Sequence, residues 1–430
     1  MTDGVRVNRA DRRQPRWDLV DLDSQLAEDH RARAVWEFVS GLNLSAFYAR
    51  IKARGEIAGR PATDPKILLA LWLYATLEGV GSARALDRLC AQHSAYRWLC
   101  GGVEVNHNIL CEFRAESGVL LDRLLTQSLT ALIAEGLITL EEAAIDGTKV
   151  RAAASKDSLS GAGRLSRIEA AVSARVAALK AELDADPEAS QRRIKQRAVA
   201  AAEERARRVE AAKAKLAELE RERAERERTH AAEEAGKGKT KVSTTDAEAR
   251  LMRFADGAVR PAYNIQVATA CGFVIAVEPT DRRNDTGLAP MLVEQIAARC
   301  AAVPERLLAD TGSMTADDIA GLAEAHPGMT IFSPPPEERD DVTEATQRKR
   351  AWKRRREAPA VRDWRERMAG EAAKTIYARR KNTEHAHAHM KNRGFGRMLV
   401  RGIEKVRAVC LLHALAHNLG GTLSGRAAHA

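Results

Sequence analysis

The sequence has few aromatic residues, few cysteines and no long hydrophobic run, and each shortage excludes a class of protein. Phe, Trp and Tyr make up only 4% of the 430 residues, although 45% are hydrophobic. This balance suits a helical protein rich in Ala and Leu better than an all-β one. The six cysteines form no C-x-x-C pair, so neither a zinc knuckle nor a disulfide framework is indicated. No apolar run reaches membrane-spanning length, and the N-terminus lacks the apolar stretch of a signal peptide. We therefore expect a soluble cytoplasmic protein.

The charge balance indicates an acidic partner. The net charge is +10 and the sequence pI is about 9.4, as expected of a protein that binds nucleic acid. Charge alone does not decide the question, because many basic proteins bind no nucleic acid. The length of 430 residues allows two or three domains with substantial cores.

The N-terminal third predicts a series of short helices. Asp64 can cap a helix that has Pro65 at its first position, and a glycine-containing turn at 79–82 separates this helix from the next. Short helices around a glycine turn permit a helix-turn-helix reader of DNA. A plain helical bundle explains the same pattern equally well.

A long charged segment follows the first predicted strand, which covers 143–150. Apolar residues recur every three or four positions from about 164 to 234, with an interruption at Pro187. This periodicity predicts an antiparallel helical hairpin with a narrow apolar stripe, which we expect to protrude as an insertion. The glycine- and lysine-rich residues 236–244 predict a flexible exit from the hairpin.

The rest of the chain predicts a mixed sheet flanked by helices. Two β-rich runs cover 262–269 and 273–279, and after a helix a short buried strand ends on Asp310. Another helix and the strand 329–333 complete an α/β core that is discontinuous in sequence.

Two aspartates in these strands are candidate metal ligands. Asp146 lies in the first strand and Asp310 ends a later one, so both side chains can meet at one sheet edge if the strands are neighbours. Two carboxylates brought together repel each other unless a cation or a proton neutralises them. Oxygen ligands without a nearby cysteine favour Mg²⁺ or Mn²⁺. Two aspartates in such a chain are also common by chance.

The segment RKNTEHAHAHMKNRG supplies a third acid. Residues 372–391 contain no proline or glycine, which predicts a helix. Four functional side chains share one face of this helix: Tyr377, Arg380, Glu384 and Lys391. A solvated charged face explains such a set as well.

The three histidines of the segment make a poor metal site. On a helix His385 and His389 lie together, whereas His387 points away from both and lies near the edge of the face that carries Glu384. We therefore expect Glu384 to bind the metal and the three histidines to be dispensable for it.

These motifs together resemble a known family. The spacing of the four residues on the helix face matches a Tyr-Arg-Glu-Lys signature, AAIDGTKVRAAAS looks like the family's first-aspartate strand, and LLADTG looks like the second. The sequence resembles bacterial insertion-sequence transposases of the Asp-Asp-Glu class over about residues 30–420. The sequence departs from the family pattern in three places, and none of them removes an acid. Ser313 stands where an aromatic residue is expected, the block VNHNILCEFR differs locally from the usual sequence, and the three histidines fall where the family does not rely on histidine.

The resemblance implies a ribonuclease-H-like core with a defined site. The implied catalytic and metal-binding residues are Asp146, Asp310 and Glu384, which would hold two Mg²⁺ ions, with Mn²⁺ able to substitute. The implied DNA-binding residues are Tyr377, Arg380 and Lys391. The protein would bind the terminal inverted repeats of double-stranded DNA, cleave the strands and transfer them to target DNA, as a homo-oligomer assembled on the DNA.

We expect one order of domains along the chain. It consists of an N-terminal all-helical domain that binds DNA ends, 1–138, a first core part, 139–156, the helical-hairpin insertion, 157–254, a second core part, 255–335, a charged insertion, 336–370, a third core part, 371–420, and a flexible tail, 421–430.

Other functions remain open from the residues. A nuclease of the same fold would cut DNA without joining it, and a silent or domesticated relative would bind DNA without cutting. A coiled-coil scaffold explains the hairpin but not the acids.

Overall fold

The protein is described by a computed structural model at residues 21–53, 61–185, 189–229, 240–336 and 343–425. The expected turn at Pro187 and the expected exit over 236–239 lie outside these ranges. Within them, no helix combines the length and the apolar character needed to cross a membrane.

The described part of the N-terminal region forms helices and no strand, as the sequence predicts. The helices are α1 (Arg31–Gly41), α2 (Ser45–Ala49), α3 (Pro65–Leu77), α4 (Ala83–Gln92), α5 (Ser94–Cys100), α6 (His107–Glu116) and α7 (Gly118–Ala134). Helix α3 begins as expected, because the Asp64 side chain accepts a hydrogen bond from the Lys66 amide at 2.8 Å and Pro65 stands at the first position. Every residue of α3 except Lys66 is buried, so this helix lies at the centre of the helical region.

The remaining strands build one mixed sheet and a short two-stranded ribbon. The strands are β1 (Glu142–Arg151), β2 (Leu159–Ser160), β3 (Val242–Ser243), β4 (Arg250–Arg253), β5 (Val259–Ala270), β6 (Phe273–Thr280), β7 (Arg306–Ala309) and β8 (Thr330–Phe332). In the sheet β5 pairs antiparallel with β1, β4 and β6, whereas β7 runs parallel to β1 and β8 runs parallel to β7. The mixed sheet predicted from the sequence is therefore confirmed.

The hairpin is inserted between β1 and β4 of this sheet, and the β2–β3 ribbon pairs the chain segments on either side of it. Its helices are α8 (Ala162–Asp184) and α9 (Ala189–Thr229). Lys213 binds Glu169 at 2.6 Å near one end, and Lys180 binds Glu203 at 2.7 Å farther along. The partner residue moves back along α9 as one moves forward along α8, so the two helices are antiparallel.

Seven further helices complete the described chain: α10 (Ala289–Cys300), α11 (Ala316–Ala325), α12 (Glu344–Arg355), α13 (Pro359–Ala369), α14 (Glu371–Tyr377), α15 (Lys381–Met390) and α16 (Ile403–Leu423). A single 3₁₀ turn, Ala378–Arg380, joins α14 to α15, so the helix predicted over 372–391 is nearly continuous. Helix α16 packs against α3, α7 and β6. One apolar core therefore runs from the N-terminal helices to the sheet.

Candidate active site

The two aspartates lie side by side where β1 and β7 stop pairing. The last parallel pair between these strands is Ile145 with Ala309, so Asp146 and Asp310 each come one residue after it. Side chains alternate along a strand, and equivalent positions on neighbouring strands face the same way. The sheet thus brings both carboxylates to one edge, as predicted from the sequence for the case that the two strands are neighbours.

Arg380 is the common partner of all three acids. Its guanidinium lies 3.5 Å from Asp146 Oδ2, 3.7 Å from Asp310 Oδ1 and 3.3 Å from Glu384 Oε1. The Arg380 side chain is only 15% exposed, whereas those of Asp310 and Glu384 are 53% and 59% exposed. The Arg380 guanidinium is therefore buried among the three acids, whereas Asp310 and Glu384 are exposed to solvent.

Tyr377 and the turn after β7 fix Asp310. The Tyr377 hydroxyl donates to Asp310 Oδ1 at 3.1 Å, and burial raises the pKa of Tyr377, so the phenol keeps its proton. The Thr311 amide donates to the same carboxylate oxygen at 2.8 Å. The Ser313 hydroxyl donates to the Asp310 carbonyl at 2.6 Å. The departure from the family at Ser313 thus closes the turn that carries the acid.

Asp146 is the most buried of the three acids. Burial raises the pKa of its carboxyl to about 6, an effect that the positive charge of Arg380 partly offsets. The Gly147 amide donates to Asp146 Oδ1 at 3.0 Å. The neighbouring His387 ring has its Nδ1 atom 3.5 Å from Asp146 Oδ2, and burial lowers the pKa of His387 to about 4. His387 is therefore neutral at neutral pH.

The three histidines separate as the helical geometry predicts. His387 is buried beside Asp146, whereas His385 and His389 line a small cavity between α15 and α16 together with His417. Lys391 is exposed at the start of a π-helical turn, Lys391–Phe395. Within the described part of the chain it makes no ion pair with the acids, although its charge contributes to the lowered pKa of His387.

A fourth carboxylate, which was not predicted from the sequence, lies next to the site. Asp285, in the loop after β6, accepts hydrogen bonds through Oδ1 from the side-chain amides of Asn264 and Gln266, at 2.7 Å and 2.6 Å. These two amides are buried at alternate positions of β5, a strand that is otherwise mostly apolar. Buried amides need partners, so this pair was the signal in the sequence for a nearby acceptor.

The donor set of the site fits a hard divalent cation. Mg²⁺ and Mn²⁺ prefer carboxylate oxygens, and the three acids present such oxygens around the Arg380 guanidinium. In this arrangement the Arg380 guanidinium provides the neutralising charge. Among the described residues, no three His, Cys, Asp or Glu side chains lie close enough to one another to hold one ion.

The fold and the site together define an α/β protein with three acids gathered at one edge of a mixed sheet. Two family models match the chain: residues 20–116 match one described as "Transposase domain (DUF772)", and residues 339–421 match "Transposase DDE domain". The first covers α1–α6 and the second covers α12–α16 with Glu384. No curated protein and no solved structure matches the chain.

The chain carries two matched transposase domains, which support its assignment as an insertion-sequence transposase of the Asp-Asp-Glu class. It is a DNA transposase, and its DDE domain indicates a metal-dependent enzyme that cleaves DNA and transfers strands. The resemblance seen in the sequence is therefore confirmed.

Proposed function

We propose that this transposase binds the terminal inverted repeats of its own element, cuts the DNA there and joins the freed ends to target DNA at the Asp146, Asp310 and Glu384 site. The observation that carries the proposal is the convergence of these three acids on Arg380 from segments more than 60 residues apart in the chain. Acids so far apart in sequence come together on a single cation only because the fold brings them there.

The strand order supports a ribonuclease-H-like core. Three antiparallel strands, β6, β5 and β1, are followed across the sheet by β7 and β8, which run parallel to β1. We propose that the parts of this core come from about 139–156, 250–335 and 371–420. The second part begins earlier than the sequence predicts, because β4 (Arg250–Arg253) pairs with β5 in the sheet although the sequence assigned it to the hairpin insertion. With that change we keep the expected division of the chain into a discontinuous core, an N-terminal helical domain and two insertions.

The three acids would hold divalent ions, which we propose to be two Mg²⁺ ions with Mn²⁺ as a substitute. When bound, such ions activate an attacking oxygen and stabilise a leaving one in phosphoryl transfer. The protein's own residues do the positioning: Tyr377 holds Asp310 through its hydroxyl, and Arg380 keeps the carboxylates together and lies within reach of a phosphate that enters between them. Lys391, exposed on the same helix face, would contact the DNA backbone as a point charge.

We also propose that the hairpin contacts DNA. Four arginines, Arg164, Arg167, Arg175 and Arg205, line a groove of about 600 Å³ between α8 and α9. Its floor consists of alanines and branched aliphatic side chains such as Val172. No salt bridge forms at these four guanidinium groups within the described residues, while Glu169 and Glu203 of the same hairpin pair with lysines. Unpaired arginines over an apolar floor suit the phosphates and sugars of a DNA strand.

The N-terminal helices would recognise the element's ends in the cytoplasm, where the protein would assemble as a homo-oligomer on the DNA. Residues 1–138 expressed alone test this part. We expect a folded fragment that prefers the inverted repeats over random DNA, and a folded fragment without that preference would contradict the assignment.

DNA cleavage by the full chain tests the proposed function. Labelled duplexes that carry the inverted repeats flanking the gene are incubated with the protein and Mg²⁺, with Mn²⁺ or with EDTA, and nicked and joined products are separated. We expect nicking and joining with either metal and none with EDTA. Glu384→Gln keeps the size of the side chain but removes its charge, so cleavage should fall by about 10³-fold or more while binding to the ends persists.

Two outcomes would favour the alternatives. Cutting without joining would indicate a nuclease of the same fold. Binding of the ends without any cutting by the wild-type protein would indicate a silent or domesticated relative.

A further inference from the structure

The loop between β6 and α10 connects the strand of the first acid to the turn of the second. We propose that Asp285 in this loop is a positioning residue that sets the distance between Asp146 and Asp310. The proposal rests on the function proposed above. Asp285 itself touches neither acid in a hydrogen bond, so it would act through the backbone on which they stand.

On one side Asp285 lies directly over Gly147, the residue after Asp146. A methyl group at position 147 would overlap Asp285 Oδ1 and the Gln266 side-chain nitrogen. Gln266 is paired with Gly147 across the β1–β5 ladder, and its amide donates to Asp285. Glycine is therefore required at 147 by the close approach of this carboxylate, and the carboxylate is held there by the two buried amides of β5.

On the other side the next two residues hold the turn after Asp310. The Thr286 hydroxyl donates to the Gly312 carbonyl at 2.9 Å, and the Gly287 amide donates to the Ser313 carbonyl at 3.1 Å. Ser313 in turn donates to the Asp310 carbonyl through both its amide and its hydroxyl. Three consecutive residues thus connect the two regions: Asp285 contacts β1 and β5, and Thr286 and Gly287 donate hydrogen bonds to the turn after Asp310.

The connection made by residues 285–287 lies just beyond the point where β1 and β7 stop being hydrogen-bonded to each other. Pairing between β1 and β7 ends at Ile145 and Ala309, so no ladder hydrogen bond fixes Asp146 against Asp310. Both residues carry like charges when ionised, and their repulsion favours separation. A misplacement of about 1 Å at a reacting centre costs on the order of 10²-fold in rate, so a link just beyond the ladder has a large expected effect on cleavage.

Removal of the Asp285 carboxylate should slow the chemistry without weakening DNA binding. Asp285→Ala removes the acceptor of the Gln266 amide and the nearer acceptor of the Asn264 amide, which keeps only the Asn284 carbonyl at 3.3 Å, and so releases the loop. We expect kcat for cleavage of the inverted-repeat duplex to fall by about 10²-fold, with KM and end-binding within about threefold. Asp256→Ala is the matched control, because Asp256 pairs with Arg260 in an exposed turn and its loss should leave cleavage unchanged.

The conservative variant separates positioning from a direct role. Asp285→Asn loses the charge but keeps an Oδ1 atom that can accept from both amides. It should restore cleavage to within about threefold of wild type, since only the hydrogen bonds matter for positioning. If Asp285→Asn is as slow as Asp285→Ala, the carboxylate acts through its charge and the positioning role is wrong.

Gly147 provides a second, coupled test. Gly147→Ala should be slowed by a similar factor because its methyl group displaces the carboxylate. Gly147→Ala combined with Asp285→Ala should be no slower than Asp285→Ala alone, because the Gln266 amide is no longer held by Asp285 and can turn away from the methyl group. Additive losses would show that the two residues act independently and would overturn the proposal.

Hydrogen exchange tests the link without metal or DNA. The Gly287 amide should exchange faster in Asp285→Ala than in wild type, and at the wild-type rate in Asp285→Asn. Unchanged exchange in Asp285→Ala would contradict the link even if the wild-type protein cut no DNA. Cleavage assays distinguish failure of this proposal from failure of the proposed function. If the wild-type protein cuts DNA and Glu384→Gln does not, the proposed function stands. If Asp285→Ala then cuts at the wild-type rate, only the role of Asp285 is wrong.

Discussion

Charged side chains cluster in two regions of the molecule, the sheet edge and the hairpin groove, and the two clusters have opposite net charge. At the sheet edge three carboxylates share one guanidinium, that of Arg380. In the groove of the hairpin four arginines line the walls without a carboxylate bound to them in the described structure. The first place has an excess of negative charge and the second an excess of positive charge.

The difference shows which part of a DNA substrate each place suits. A cluster of acids repels phosphates unless cations neutralise it, so it suits chemistry in which metal ions mediate the contact. A row of unpaired arginines attracts phosphates directly and independently of sequence. We expect these two roles to be separable by substitution.

Among substitutions outside the three acids, replacement of Arg380 by Gln should have the largest effect. The three acids would lose their shared partner, and cleavage should fall by roughly 10²- to 10³-fold, as for loss of a positioned charge at a reacting centre. Measurement of single-turnover cleavage in Mg²⁺, together with the affinity for end DNA, would check this. Loss of binding to the same extent as cleavage would mean that the two roles are not separate.

The same variant should also change how stability depends on pH in the absence of metal. Burial already raises the pKa of Asp146 to about 6, and Arg380 opposes that rise. Without Arg380 the folded-state pKa increases further above its unfolded value, so stability is retained at low pH and lost as the pH rises through the folded-state pKa. Denaturant unfolding in EDTA should show a deficit of the variant relative to wild type that grows as the pH rises above about 6, the folded-state pKa of Asp146 in the wild type.

Neutralisation of the hairpin arginines should have an intermediate effect confined to binding. Replacement of all four by Gln removes about four phosphate contacts, so the slope of log affinity against log salt should become shallower by about 3 to 4. At moderate salt the affinity should fall by roughly 10- to 100-fold for specific and random DNA alike.

A control with the same loss of charge is available in the same hairpin. Arg207, Arg208, Lys213 and Arg223 each pair with a glutamate, and their replacement by Gln should change the slope much less. Equal slopes for the two quadruple variants would show that overall charge, not the groove, controls binding.

The histidines should give the smallest effects. His385→Gln with His389→Gln removes two rings that face a cavity away from the acids, and cleavage should stay within about threefold of wild type. His387→Asn alone removes the buried neighbour of Asp146, and a loss of about tenfold is expected from one weakened polar contact. If the double variant abolishes cleavage in a folded protein while Glu384→Gln does not, the metal ligand was misassigned.

Local patterns in the sequence predicted the parts of the structure that depend on nearby residues. The apolar stripe of the hairpin, the cap at Asp64 and the helix that carries Glu384 all follow from spacing within a few turns. That Asp146 and Asp310 lie together depends on which strands are neighbours in the sheet. Periodicity does not predict strand order, so this prediction came from the family resemblance. Asp285 was missed because its position depends on the register of β1 against β5 and on a loop after β6.

The order of the strands along the chain also sets the order in which the site is made. Asp146 precedes the hairpin, and Glu384 follows every strand of the sheet. At bacterial or eukaryotic synthesis rates the first acid leaves the ribosome on the order of tens of seconds before the third. A chain that terminates early, anywhere between α11 and α15, therefore keeps the hairpin arginines and two acids but lacks the third. Such a fragment keeps the groove that we propose to bind DNA, but it lacks Glu384 and also α16, which packs against α3, α7 and β6. Premature termination therefore removes the third acid and part of the core together.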